Sequence, residues 1–160
     1  MNDRHNDLLR IRPEIKKHQT FEATGAEERF QNNTLRPILK LQNPLLVVAF
    51  HNYIDKWKGV FYNLSLEKKL AYIENALNKD QKLRNSLMGM VIGHFTLTEY
   101  HAYLENAPAL NKRIISMLIK RFKDQSQLFE QKLNRLKKRL NAGFTKSLSA
   151  CHRSRSIGSN

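Results

Sequence analysis

Apolar residues recur along this chain at intervals of three and four, and no stretch alternates long enough to read as a strand. The first series begins near Thr24, where Thr24 and Glu27 have the spacing of a capping box. In that motif the hydroxyl satisfies a free amide of the first turn and the carboxylate reaches back to the cap. Pro37 removes one amide and restricts Arg36, so the segment through Leu41 is expected to kink or split in two. Asn43 and Pro44 then predict a restart, with Asn43 as N-cap and Pro44 at the first helical position. The run Leu45, Leu46, Val47, Val48, Ala49, Phe50, Tyr53, Ile54 and Trp57 is apolar round much of the wheel. It predicts the central, most buried helix, closed by Gly59.

Two amphipathic helices follow. Ser65 is placed to cap a segment whose Leu66, Leu70, Ile73 and Leu77 fall at helical spacing, ending near Asn78. Asp80 is placed to cap the next, with Leu83, Leu87, Val91 and Ile92 facing inward. Gly89 and Gly93 lie four apart on it, which predicts close approach of a neighbouring helix at roughly 1 kcal/mol of helix propensity per glycine. The stretch "FTLTEY", residues 95–100, carries a second capping box in Thr96 and Glu99. Phe95 before the cap and Tyr100 at the fourth helical position complete a hydrophobic staple. A short helix to about Asn106 is expected, and Pro108 opens the last one.

The last helix changes character along its length. Ile114, Ile115, Met117, Leu118, Ile119 and Phe122 cover a wide arc, as in a helix embedded in a core. Phe129, Leu133, Leu136 and Leu140 fall within roughly 60 degrees of one another, the narrow seam of a two-helix contact. Lys132, Arg135, Lys137, Lys138 and Arg139 coat the remaining surface as far as Gly143. Beyond it the chain is serine-rich, basic and without periodicity, and is expected to be disordered. The fold class is therefore all-α: a compact bundle of about six helices with a long basic C-terminal helix and a disordered tail. The expected divisions are an N-terminal arm (1–23), a helical core (24–127), a basic amphipathic extension (128–143) and the tail (144–160).

Charge sharpens this division. Residues 1–110 carry 15 Lys and Arg against 12 Asp and Glu, whereas residues 111–160 carry 13 against 2, so +11 of the net +14 lies in the last third. Such a field suits nucleic acid or an acidic protein, and equally a solvated helix face. No run of about 20 apolar residues could span a membrane, and the polar start does not read as a signal peptide. Cys151 is the single cysteine, which excludes an intrachain disulfide and a thiolate metal cluster. A cytoplasmic protein is expected.

Candidate chemistry is sparse. His94, Glu99 and His101 cluster in sequence, with His101 and Glu105 one helical turn apart, yet the spacing matches no metal signature. No metal or other cofactor is expected. His51, on the buried helix, reads as a hydrogen-bonded core histidine. No phosphate-binding glycine loop, nucleophile elbow or pair of catalytic acids is present.

Three stretches, "ERFQNNTLRPILKLQN" (28–43), "LEKKLAYIENALNKD" (66–80) and "LRNSLMGMVIGHFTLTEYHAYLENAPALNKR" (83–113), together resemble a group of small bacterial proteins, some of which carry the name glyoxalase. The resemblance spans residues 28–129 and implies a soluble bacterial domain. The name implies a lyase acting on a small aldehyde, for which His94, Glu99 and His101 are the candidate residues. The chain departs from metal-dependent glyoxalases in having no strands to carry their ligands, and from hydrolytic ones in lacking their histidine-dense run. Two functions are thus expected in competition. One is a binding module whose basic segment, 128–160, meets nucleic acid, an acidic protein or a helical partner; the other is a glyoxalase-like lyase.

Overall fold

The computed structural model describes residues 3–15 and 25–130. Among these residues every regular element is helical: α1 (Arg4–Arg10), α2 (Ala26–Phe30), α3 (Arg36–Lys56), α4 (Leu66–Lys79), α5 (Gln81–Ile92), α6 (Leu97–Glu105) and α7 (Ala107–Asp124). A π-turn over Gln31–Leu35 joins α2 to α3 without a break, because both flanking residues keep right-handed helical angles. Counted that way, the described residues form six helical rods, an all-α bundle.

The α2–α3 rod is where local sequence signals and tertiary burial disagree. Pro37 neither splits nor caps it; the residue lies directly after the widened π-turn, where the hydrogen-bond register is already changing. Asn43 and Pro44 do not restart it, since Pro44 lies inside α3. A proline there costs about 3 kcal/mol in an isolated helix. Two circumstances offset the cost. Lys40 and Pro44 are both exposed, so the Lys40 carbonyl that loses its amide partner can turn to water. On either side, Ile38, Leu39, Leu46, Val47, Phe50 and Ile54 are buried, at about 1.5–3 kcal/mol for each large apolar side chain. The expected central helix is thus confirmed and extends further toward the N-terminus, although Leu45 and Trp57 on it are exposed. Lys58 and Gly59 close it with left-handed backbone, and the Gly59 amide donates to the Ile54 carbonyl at 3.3 Å.

Several other local expectations need correction. Thr24 lies outside the described residues, and with it the expected capping box; α2 starts after Gly25, with Glu27 at the second helical position, where its Oε1 accepts from the Asn106 side-chain amide at 2.6 Å. Ser65 occupies the N-cap of α4 without a side-chain hydrogen bond, and Leu66 beside it is exposed. Asp80 does cap α5, accepting from the Leu83 amide at 3.0 Å. A methyl group at Gly89 would meet nothing, and one at Gly93 would meet only the Gly89 carbonyl, so the glycine pair does not seat a neighbouring helix. Before α6, Phe95 packs edge-on against Tyr103 and Phe30 while Tyr100 stacks on Tyr103; the staple closes one turn later than expected.

The largest correction concerns the end of α7. The expected continuous helix stops at Asp124, and a 3-10 turn over Ser126–Phe129 folds the chain back. Phe129, expected on a seam offered to another helix, is fully buried among Phe50, Phe61 and Phe122, with ring centroids 5.1, 6.3 and 5.6 Å away. The folded core therefore runs past residue 127. Buried His51 fixes this turn: its Nε2 donates to the Leu128 carbonyl at 2.9 Å, the structural role its sequence position suggests.

Candidate functional site

The three sequence candidates for catalysis separate once folded. Glu99 is committed at both oxygens. Its Oε1 accepts from Arg12 Nη1 at 2.6 Å and from the Thr34 hydroxyl at 2.9 Å. Its Oε2 accepts from Arg12 Nη2 at 2.8 Å and from the Thr96 amide at 2.8 Å, the last completing the predicted capping box. Burial raises its pKa, but the Arg12 guanidinium, the Thr96 amide and the Thr34 hydroxyl more than reverse that, holding the carboxyl below its usual range. A carboxylate so engaged is a poor proton acceptor.

His94 belongs to the same neighbourhood through its backbone, whose carbonyl accepts from Arg12 Nη2 at 2.6 Å. Its ring lies against Gln42, and Nδ1 donates to the Met90 carbonyl at 3.1 Å. Arg4 takes the Gly93 and Phe95 carbonyls at 2.9 and 2.8 Å, so two arginines from the N-terminal segment satisfy the end of α5. His101 is exposed on α6. Among the described residues no group of three or more His, Cys, Asp or Glu could hold a metal ion. Glu99 and the His94 carbonyl, held by Arg12, make a structural latch, and His101 takes no part in it.

A different feature has the form of a binding site. A groove of about 880 Å³ runs beside α3 and α7; among the described residues it is lined by Arg36, Lys40, Lys112, Arg113, Lys120 and Arg121 against two carboxylates, Glu27 and Asp124. Alternation of buried and exposed positions on α7 puts Leu110, Ile114, Leu118 and Phe122 into the core and leaves its cations outward. Arg36 and Lys40 come one turn apart from α3. Glu27 is partly neutralised by Arg113, 4.0 Å away. Arg121 is half-buried and donates to the Asn43 amide oxygen at 3.3 Å. Burial lowers its pKa and Asp124 pulls the other way. Ile15 also lines the groove, and Lys40 Nζ donates to the Glu14 carbonyl at 3.3 Å.

A second depression, of about 520 Å³, is lined by Tyr53, Tyr72 and Asp80 among others. Burial, followed by Tyr72 and Asp80, pushes the Tyr53 phenol up to about 12, so its proton stays on at neutral pH.

The predicted binding residues Lys132, Arg135, Lys137, Lys138 and Arg139 lie outside the described residues, as do Leu133, Leu136 and Leu140. Sequence reading located the positive charge of the last third but missed Arg36 and Lys40, which join it only because α3 lies beside α7. No helix among the described residues is long and apolar enough to cross a membrane. Comparison with protein-family models, with curated proteins and with solved structures gives no match.

Proposed function

We propose that this chain is a non-enzymatic binding module whose basic surface meets nucleic acid, acting in the cytoplasm. The observation that carries the reading is the groove, where among the described residues six cations face two carboxylates. It lies on the helix that leads into the last third, where +11 of the charge resides. Lysine and arginine rows of this kind release condensed counterions when they neutralise phosphates, which supplies sequence-independent affinity. A protein partner held by a leucine seam is less favoured, because Phe129 is withdrawn into the core. The lyase reading loses its best base, since Glu99 is occupied by four donors.

The test is a titration of a labelled mixed-sequence oligonucleotide with the full chain and with a variant carrying Gln at 132, 135, 137, 138 and 139. Binding by the parent, weakened in the variant, supports the reading. Absence of binding by the parent at low salt overturns it.

A further inference from the structure

Resting on that reading, we propose that the groove beside α3 and α7 holds the backbone of one nucleic-acid strand, with a phosphate seated on Arg121. Shape selects the strand. The cations line a concavity, so the ligand is the part that inserts, whereas duplex readers insert a protein element into the groove of the nucleic acid.

Length selects a chain over a single phosphate. Lys112 and Lys120 are eight residues apart on α7, roughly 12 Å along the axis at 1.5 Å per residue. At about 3.4 Å per nucleotide of a stacked strand, that span covers three to four phosphates. A lone phosphate reaches one end of such a row, and a strand reaches all of it.

Arg121 marks the anchor. Its guanidinium has given up part of its hydration, and its hydrogen-bond partner among the described residues is a neutral amide. Asp124 is exposed and, among the described residues, forms no ion pair with it within 4.0 Å. A partly desolvated cation without a tight carboxylate gains more from an incoming oxyanion than a fully hydrated one does. Its planar fork suits two phosphate oxygens at once. Among the described residues no aromatic side chain lines the groove, so these residues offer the strand's backbone cations and offer its bases no stacking surface. Recognition is therefore tolerant of sequence and steep in salt.

The experiment titrates the full chain and its point variants with single-stranded DNA of mixed sequence at several salt concentrations, with polyglutamate and the matching duplex as competitors. Lys112→Gln with Lys120→Gln should reduce the magnitude of the log–log salt slope by about 1.4, at about 0.7 per phosphate contact. Arg121→Lys should lose roughly tenfold in affinity while keeping the slope, because the charge remains and the fork does not. Thermal melting confirms that each variant is folded. The two exposed lysines keep the test decisive if Arg121 variants do not fold. Parental affinity and slope in all variants would overturn the groove assignment, leaving residues 131–160 as the binding surface and the proposed function standing. Equal displacement by polyglutamate, or tighter binding of the duplex, overturns the single-strand assignment. No binding by the parent overturns the proposed function itself.

Discussion

Arg12 and Glu99, 87 positions apart in sequence, form a two-pronged ion pair at 2.6 and 2.8 Å, with the Arg12 side chain only 6% exposed. The same carboxylate caps α6, so one residue fastens the N-terminal segment and starts a helix. Glu99→Gln should cost about 3 kcal/mol, because it leaves a buried guanidinium without its counter-charge. Denaturant unfolding at neutral pH measures it; a loss below about 1 kcal/mol, the range of exposed pairs, would contradict this role.

The same pair sets an acid limit. Burial raises the pKa of Glu99, but the Arg12, Thr96 and Thr34 contacts bring it below the usual value. A carboxylate with a depressed folded pKa contributes stability that is complete above the unfolded pKa, about 4.3, and is lost as pH falls through the folded value. Parent and Glu99→Gln stabilities should therefore converge as pH drops below about 4. A constant gap across that range would show that the charge of Glu99 is not what matters.

Phe129 should behave as a core residue. Phe129→Ala should destabilise by about 3–5 kcal/mol and leave the oligomeric state unchanged. Chain termination after Gln127, which removes Phe129, should be at least as harmful, and more so than termination after Glu130, which keeps it. His51→Phe should cost about 1–3 kcal/mol by leaving the Leu128 carbonyl unpaired. Thermal unfolding of the four variants distinguishes this from a seam residue, whose loss would alter association instead.

Gly59 should resist substitution. Its φ is +65°, and an added Cβ would stand 2.8 Å from the Tyr62 ring, which holds Asp55 through a 2.6 Å hydrogen bond. Gly59→Ala should cost about 1–2 kcal/mol in left-handed backbone strain. Gly89→Ala, with open space around it, should gain up to about 1 kcal/mol of helix propensity. A Gly59→Ala variant as stable as the parent, or a Gly89→Ala variant less stable than it, would contradict these assignments.

What was legible in the sequence was local. The Thr96–Glu99 box, the Asp80 cap and the opening of α7 at Pro108 are set within a few residues, and each is present. Asn43 and Pro44 read as a helix start for the same local reason, and were overridden because burial on both sides outweighs one lost hydrogen bond. The end of α7 gave no warning: Asp124 to Gln127 contain no glycine or proline, and Phe129 sits at helical spacing from Leu133. Periodicity does not distinguish a seam from a core contact when the chain turns back on itself.

The site was half legible for a related reason. Net charge along the chain points to α7 and beyond, but a groove needs two walls, and Arg36 and Lys40 are more than 70 residues away from their partners in sequence. His94, Glu99 and His101 stood out by residue type alone. Arg12, which explains Glu99, lies in a segment with no pattern to draw attention to it.

If this chain uses its cations to hold phosphates, the salt dependence of single-stranded DNA binding by the full chain will show it. Three to four contacts in the groove predict a log–log slope of at least about −2, and steeper if the last 30 residues contribute. A flat slope, or no binding at low salt, would contradict it and return the basic face to the role of a solvated surface.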